Sequence, residues 1–191
     1  MKLIIGLGNP GASYKATRHN AGAMAVERLA KKEKLFFKAN RSFKSYIATG
    51  KINNEPVCLA LPQTFMNLSG EAVEALVKKR RITHHDVLIV YDDVNLLLGQ
   101  IKAKPKGSDG GHHGLASVIE KLADSNIPRL RFGIGCQGLR GDLTDYVLSR
   151  FDKEEAGIVE SILEKASEAI KAWALEGMDK CMNVCNTLTK R

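Results

Sequence analysis

The sequence predicts an α/β fold: one three-layer domain over residues 1–191, with a mixed, twisted β-sheet flanked by helices. Short apolar runs typical of buried strands alternate along the chain with segments of helical periodicity, which favours a sheet covered on both faces. The dipeptide Asn53-Asn54 separates two strand-like segments. It indicates a hairpin and therefore an antiparallel pair, which together with the expected crossovers between parallel strands predicts a mixed sheet. A length of 191 residues, 44% of them hydrophobic, suits one domain with a substantial core.

Each element is predicted from its own local pattern. Strands are expected where apolar or alternating residues lie between turn signals, over 3–7, 42–52, 57–61, 87–91, 100–104 and 130–134. Helices are expected where apolar residues recur at helical spacing, over 20–32, 69–79, 115–122, 153–175 and 178–188. Ser69 is expected to cap the second helix. Asp92 is expected to stand at the end of the strand that finishes at Tyr91.

The charge balance points to a polyanionic partner. The formal net charge is +8 and the pI is about 9.4. Basic residues cluster over 78–81, and Lys102, Lys104 and Lys106 alternate so that they share one face of a strand. One such run is typical of a solvated face, but several together favour a phosphate-binding surface.

The remaining global features indicate a cytoplasmic protein. No apolar run approaches the roughly 18 residues of a membrane span, and no signal peptide precedes the first strand, so we expect no membrane association. The four cysteines form no CxxC pair, and we expect them to be reduced thiols in or near the core: Cys58, Cys136, Cys181 and Cys185.

The glycine loop after the first strand fits GxGxxG literally, from Gly6 to Gly11, so a dinucleotide-binding enzyme is one alternative. Three observations weaken it. About eight residues separate Gly11 from the helical pattern, and Pro10 lacks an N–H for a phosphate cradle. Glu27 and Glu33 lie in or at the end of the helix, not at the end of a second strand where a ribose would be bound. A structural tight turn is the simpler interpretation, although it leaves Asn9 unexplained.

A series of motifs runs along essentially the whole chain. Gly-Leu-Gly-Asn-Pro-Gly, Thr-Arg-His-Asn, Pro-Gln-Thr-Phe-Met-Asn, Tyr-Asp-Asp, Gly-Gly-His-His-Gly-Leu and Arg-Leu-Arg-Phe-Gly-Ile-Gly begin at residues 6, 17, 62, 91, 110 and 129. This order and spacing resembles bacterial peptidyl-tRNA hydrolases. The resemblance implies a monomeric α/β esterase without metal or organic cofactor, which cuts the ester between a peptide and the terminal ribose of tRNA.

The resemblance also assigns a catalytic group. His19 is similar to the family's general base, and Asp92 to the carboxylate that orients it. Asn9 and Asn67 match amides that contact the peptide and place the attacking water or the oxyanion. On residue type alone, a histidine before a helix is more often a cap or a surface group than a catalytic base, and Asp92 could equally well cap a turn. No GxSxG elbow occurs, which favours direct attack by water over an acyl-enzyme.

The tRNA-binding residues follow in the same way. Tyr14 and Phe65 match positions at the 3′ end of tRNA, where an aromatic ring can stack on a base. Lys104 and Arg131 match the pair that clamps the 5′ phosphate of the acceptor stem, with Arg129 as a neighbouring candidate. Core packing for the rings and a solvated strand edge for the cations are the alternative interpretations.

One position departs from the family pattern. The family commonly reads Gly-Gly-His-Asn-Gly where this chain reads Gly110 to Gly114 with His113 in place of the asparagine. A neutral imidazole keeps one donor and one acceptor, whereas a protonated one has no acceptor. We therefore expect substrate contact by His113 and activity that falls steeply in acid. A metal site made by His112, His113 and Asp109 is a weak alternative, because neighbouring loop positions rarely converge on one ion.

A tRNA- or rRNA-binding module without chemistry is the alternative from another functional class. The basic runs alone would support it. The constellation of Asn9, His19, Asn67 and Asp92 argues against it, because phosphate binding requires none of these residues.

Overall fold

Seven strands form one mixed sheet in the computed structural model, which describes residues 1–135 and 141–186. They are Lys2–Gly6 (β1), Lys38–Asn40 (β2), Ser45–Ile52 (β3), Glu55–Pro62 (β4), Val87–Leu97 (β5), Ile101–Lys104 (β6) and Arg129–Gly135 (β7). The strand order is β2-β3-β4-β1-β5-β7-β6. The four central strands β4, β1, β5 and β7 run parallel. At the two edges the pairing is antiparallel, between β4 and β3, between β3 and β2, and between β7 and β6. The predicted mixed sheet is therefore confirmed.

Helices cover both faces of this sheet. They are Ala21–Lys32 (α1), Ser69–Arg80 (α2), His113–Leu122 (α3), Leu143–Leu148 (α4), Ala156–Glu176 (α5) and Met178–Asn186 (α6). Alternate residues of β1 point to opposite sides. Ile4 packs with α1, α5 and α6, while Leu3 and Ile5 pack with α2 and α3. Two apolar cores separated by one sheet confirm the three-layer α/β architecture.

The Asn53-Asn54 hairpin between β3 and β4 is confirmed. Both asparagines have positive φ, 46° and 72°. A two-residue turn of this kind matches the twist of the flanking strands.

Four local features differ from the sequence-based expectations. β5 does not end at Tyr91 but continues to Leu97, so Asp92 lies inside a paired strand, opposite Phe132 of β7. Ser69 is the first residue of α2 rather than its cap, and its hydroxyl has no partner among the described residues. The strand β2 and the helix α4 have no counterpart in the prediction.

The glycine pattern of the first loop has a packing explanation. A Cβ atom on Gly6 would meet the Gly22 carbonyl oxygen at 2.8 Å, and one on Gly22 would meet the Val90 carbonyl oxygen at 2.2 Å. These glycines therefore let α1 lie directly on β1 and β5. Because α1 begins only at Ala21, the loop from Gly6 to Gly11 does not open a helix.

Two further expectations concern thiols and membranes. Cys58, Cys181 and Cys185 are buried free thiols, as expected, whereas Cys136 and the predicted end of the last helix, at 187–188, lie outside the described residues. In the described part of the chain, no helix has the length and apolar character needed to cross a bilayer.

Candidate active site

A cavity of about 660 Å³ opens where the carboxyl ends of the parallel strands meet. Ligand sites of α/β folds occupy this edge of the sheet. The loops after β1 and β4, the strand β5, the start of α3 and the helix α4 form its walls. It brings together six of the residues selected from the sequence: Asn9, His19, Phe65, Asn67, Asp92 and His113.

His19 and Asp92 form a hydrogen-bonded pair. The Nδ1 atom of His19 lies 2.9 Å from Oδ1 and 3.0 Å from Oδ2 of Asp92. An ionised carboxylate only accepts hydrogen bonds, so Nδ1 carries the proton and donates it. In the neutral imidazole, Nε2 is then the atom with the free lone pair. Nε2 has no partner among residues 1–135 and 141–186, and the side chain remains 12% exposed. His19 can therefore accept a proton from a molecule in the cavity.

A second imidazole, from His112, binds the same carboxylate. Its Nε2 lies 3.0 Å from Asp92 Oδ1, and its Nδ1 accepts a 3.1 Å hydrogen bond from the Leu115 backbone N–H. Since Nδ1 accepts, Nε2 must donate to Asp92. His112 thus caps the N-terminus of α3 and holds Asp92 at the same time. From the sequence, His112 was named only as a ligand of the weak metal-site alternative, and its contact with Asp92 was not predicted.

The environment of Asp92 keeps it ionised. Its side chain is only 2% exposed. Burial by itself would raise the pKa of this carboxyl, but attraction to His112 and hydrogen bonds from His112 and His19 outweigh it, so the pKa lies below its usual range. A permanent negative charge beside His19 favours the imidazolium that would form after proton transfer.

Two amides face the cavity from the loops after β1 and β4. Asn9 Oδ1 accepts a 2.8 Å hydrogen bond from the Met66 backbone N–H, so its Nδ2 group is left as a donor without a partner in the described part of the chain. Asn67 is exposed on the turn Met66–Leu68. Asn20 holds the first loop, because its amide exchanges hydrogen bonds of 2.9 and 3.0 Å with the backbone of Asn9. Asn20 was not among the site residues predicted from the sequence.

The other predicted substrate contacts differ in position. Phe65 is 59% exposed at the cavity, and His113 is exposed at its rim, where it opens α3. Tyr14 is half-buried on the turn between Gly11 and Thr17 and is not among the described residues that line the cavity.

The predicted phosphate clamp lies on the strands beside this site. Lys104 of β6 is exposed, and Arg131 of β7 is its diagonal neighbour on the same face. The Nε of Arg131 donates a 2.5 Å hydrogen bond to Asp93, which lines the cavity next to Asp92. Arg129 is buried, with its guanidinium bound to the carbonyl groups of Ile127, Ser108 and Ser125. It therefore anchors the glycine loop and is not available to a phosphate.

Three possible metal ligands converge at the centre of the site. One ligand atom each from His19, Asp92 and His112 lies within 4.8 Å of the others. However, both nitrogens facing Asp92 are the donors of its hydrogen bonds. Moving the His112 proton to Nδ1 would direct it against the Leu115 N–H. The nitrogen atoms that face Asp92 therefore carry protons, which leaves no lone pair there to bind a metal cation. His113 does not belong to this cluster.

These features define an α/β protein with an imidazole–carboxylate site in a cleft at the strand ends, an arrangement typical of hydrolases. The comparisons with known proteins are more specific. Residues 3–191 match the sequence model of the family described as peptidyl-tRNA hydrolase. The chain belongs to the peptidyl-tRNA hydrolase family.

Relatives agree in sequence and in structure. The peptidyl-tRNA hydrolase of Desulfitobacterium hafniense (strain Y51) is 44% identical, over 97% of this chain and 100% of its own length. That of Desulforudis audaxviator (strain MP104C) is 46% identical, over 98% of this chain and 94% of its own. The crystal structure of peptidyl-tRNA hydrolase from Acinetobacter baumannii superimposes with a TM-score of 0.93 at 34% identity, covering 99% of this chain and 96% of that one.

Proposed function

We propose that this chain hydrolyses the ester between the carboxyl end of a peptide, or of an N-blocked amino acid, and the 3′ ribose of tRNA. The products are free tRNA and free peptide, so the reaction recycles peptidyl-tRNA dropped from ribosomes. Family membership and the names of its relatives support the activity. The observation that carries the mechanism is the His19–Asp92 pair, whose geometry leaves His19 Nε2 directed at the cavity as a base.

In this mechanism water is the nucleophile. His19 Nε2 takes a proton from the water as its oxygen bonds to the ester carbonyl carbon, and Asp92 stabilises the resulting imidazolium. When the bond between this carbon and the ribose oxygen breaks, the imidazolium returns the proton to the departing oxygen. None of the described residues that line the cavity is a serine or a cysteine, which supports direct hydrolysis over a Ser- or Cys-linked acyl-enzyme.

The side-chain amides of Asn9 and Asn67 stabilise the negative charge that develops on the carbonyl oxygen of the ester in the transition state. The Met66 N–H fixes the orientation of Asn9, so its Nδ2 donor is already in place before substrate arrives. A donor that need not reorient stabilises an oxyanion more than water does. His112 keeps Asp92 oriented toward His19.

The tRNA contacts lie around the cavity entrance. Phe65 stacks on the 3′-terminal base, and Tyr14 contacts the same end of the tRNA. Lys104 and Arg131 bind the 5′ phosphate of the acceptor stem, since the exposed Lys104 and the half-buried Arg131 put positive charge beside the cleft. His113 contacts the substrate at the rim. The cavity is formed within one chain, which suits a monomer, and the substrate arises in translation, which suits a cytoplasmic location.

The test is release of a labelled N-blocked amino acid from its tRNA. Wild type should release it, and His19→Ala should not. His85→Ala is a matched control, because His85 is exposed on the turn His84–Asp86 and takes no part in the cavity. Unblocked aminoacyl-tRNA should be spared, because a free ammonium group would meet amide donors. Full activity of a folded His19→Ala variant would overturn the mechanism, and tight tRNA binding without release by wild type would favour the binding-module alternative.

A further inference from the structure

The residue before His19 is a buried arginine whose partners lie far along the chain. The side chain of Arg18 is only 4% exposed. Its Nη1 and Nη2 donate to the two carboxylate oxygens of Glu155 at 3.0 and 2.7 Å, and its Nε donates to Ser149 Oγ at 3.2 Å. Burying a cation is costly unless it is paired and hydrogen-bonded. The guanidinium group of Arg18 is therefore held in one position by its ion pair with Glu155 and its hydrogen bond to Ser149.

Aromatic rings and the backbone strengthen the same contact. The Cζ atom of Arg18 lies 4.7 Å from the ring centroid of Tyr146 and 4.9 Å from that of Phe151, within the range of cation–π attraction. The Arg18 backbone N–H donates to the Ser149 carbonyl at 2.9 Å, and Thr17 forms a β-bridge with Arg150. Every partner belongs to the segment that runs from α4 to the start of α5.

That segment forms one wall of the cavity. Leu143, Thr144, Val147 and Leu148 of α4 line the same cavity as Asn9 and Asn67. A helix of six residues is too short to be stable by itself, so its position depends on tertiary contacts. Arg18 supplies several of them, and the hydroxyl of Tyr146 adds a 2.5 Å hydrogen bond to the Ile134 carbonyl.

The turn Arg18–Asn20 thus connects three parts of the site. Arg18 holds the α4 segment, His19 holds Asp92 on β5, and Asn20 holds the backbone of Asn9. The side chain that accepts the proton and the side chain that places the wall are consecutive in the chain. A shift of one is therefore transmitted to the other through a single peptide bond.

We propose that Arg18 is a positioning residue, which fixes the α4 wall relative to His19 through Glu155, Ser149 and the rings of Tyr146 and Phe151. The proposal rests on the proposed function of this cavity. Lysine cannot replace arginine in this role, because an ammonium group makes neither the two-pronged contact with a carboxylate nor the planar stack on a ring.

The test compares Arg18→Lys with Arg28→Lys. Arg28 of α1 also binds a glutamate through both of its Nη atoms, but Arg28 is half-buried, its partner Glu160 is exposed, and neither lines the cavity. A displacement of about 1 Å in a reacting arrangement costs up to roughly hundredfold in rate. We expect Arg18→Lys to lower kcat/KM by about ten- to hundredfold and to speed hydrogen exchange of the α4 amides. Its affinity for deacylated tRNA should stay within about twofold of wild type, and Arg28→Lys should match wild type throughout.

Glu155→Gln provides an independent variant, since it leaves the shape of the side chain intact. Its effect on kcat/KM should be non-additive with that of Arg18→Lys, because both variants break the same contact. Wild-type activity and unchanged α4 exchange in Arg18→Lys would overturn the proposal, as would equal losses in Arg18→Lys and Arg28→Lys. If Arg18→Lys does not fold, normal activity and exchange in Glu155→Gln would overturn it instead. If wild type proves inactive, the proposed function fails, while the α4 exchange comparison still decides the role of Arg18.

Discussion

His112 performs two tasks with its two ring nitrogens, and two substitutions separate them. Asparagine has its amide near the position of Nδ1, so His112→Asn keeps an acceptor for the Leu115 N–H but cannot reach Asp92. Glutamine places its amide near the position of Nε2, so His112→Gln keeps the donor to Asp92 and loses the cap. The prediction is that His112→Asn loses catalysis, while His112→Gln loses mainly stability.

The magnitudes follow from the contacts. A hydrogen bond to a charged group contributes about 1.5–3 kcal/mol, and Asp92 is nearly fully buried, so a lost donor is not replaced by water. If that bond holds Asp92 in line with His19, its loss lowers kcat/KM by roughly ten- to 150-fold. Loss of the helix cap in His112→Gln costs about 1 kcal/mol of unfolding free energy.

Two measurements on the same samples test the two roles of His112. Release of a labelled N-blocked amino acid from tRNA gives kcat/KM, and urea unfolding gives the free energy of unfolding. We expect kcat/KM of His112→Gln to stay within about threefold of wild type, a much smaller change than the roughly ten- to 150-fold loss expected of His112→Asn. The opposite ranking, with His112→Asn active and His112→Gln inactive, would refute the assigned roles. Equal activity of all three proteins would show that Asp92 does not depend on His112 for its orientation.

Three further predictions concern other parts of the site. At low pH the activity of wild type should fall more steeply than that of His113→Asn, because a protonated imidazole at the rim has lost its acceptor; superimposable acid limbs of the pH–rate profiles would contradict this. Replacing Lys104 or Arg131 by alanine should weaken tRNA binding and reduce the slope of log affinity against log salt by about 1, and an unchanged slope would exclude a phosphate contact. Burial raises the pKa of the Glu155 carboxyl, but the hydrogen bonds from Arg18 and from the Asp152 backbone N–H, together with the charge of Arg18, outweigh burial, so the pKa lies below its usual range. Glu155 therefore contributes stability above its unfolded pKa of about 4.3, and this contribution is lost as the pH falls from that value through the lower pKa of the folded state. Between about pH 5 and 3, the unfolding free energy of wild type should drop more than that of Glu155→Gln. Parallel curves of unfolding free energy against pH would contradict the Arg18–Glu155 ion pair as the cause.

Much of the fold followed from local pattern because strands and helices of ordinary length carry their own periodicity. Two elements did not. The six residues of α4 are too few to show a helical repeat, and the helix is held by Arg18, Tyr146 and the start of α5 rather than by its own sequence. The extension of β5 beyond Tyr91 was missed because two consecutive aspartates are typical of a turn. In the folded chain both aspartates can lie within a buried strand, because His112 and His19 bind the carboxylate of Asp92 and Arg131 binds that of Asp93.

The residues of the candidate site also fall into those that the sequence predicted and those that it did not. Motif order predicted His19, Asp92, Asn9 and Asn67 as one constellation, and the structure brings all four to one cavity. Three residues that hold this constellation in place, Asn20, His112 and Arg18, were not assigned those roles. Each acts through a partner distant in the chain, and no local pattern shows which carboxylate or backbone group a polar side chain will meet.

The sequence by itself thus determined the three-layer α/β architecture and the set of polar groups available for chemistry, because periodicity and residue type are local properties. Only the tertiary structure decided how those groups work together. Three consecutive residues of one short turn, Arg18–Asn20, point to three different elements of the fold. Their directions depend on where α4, β5 and the first loop are packed, and packing is a property of the whole chain.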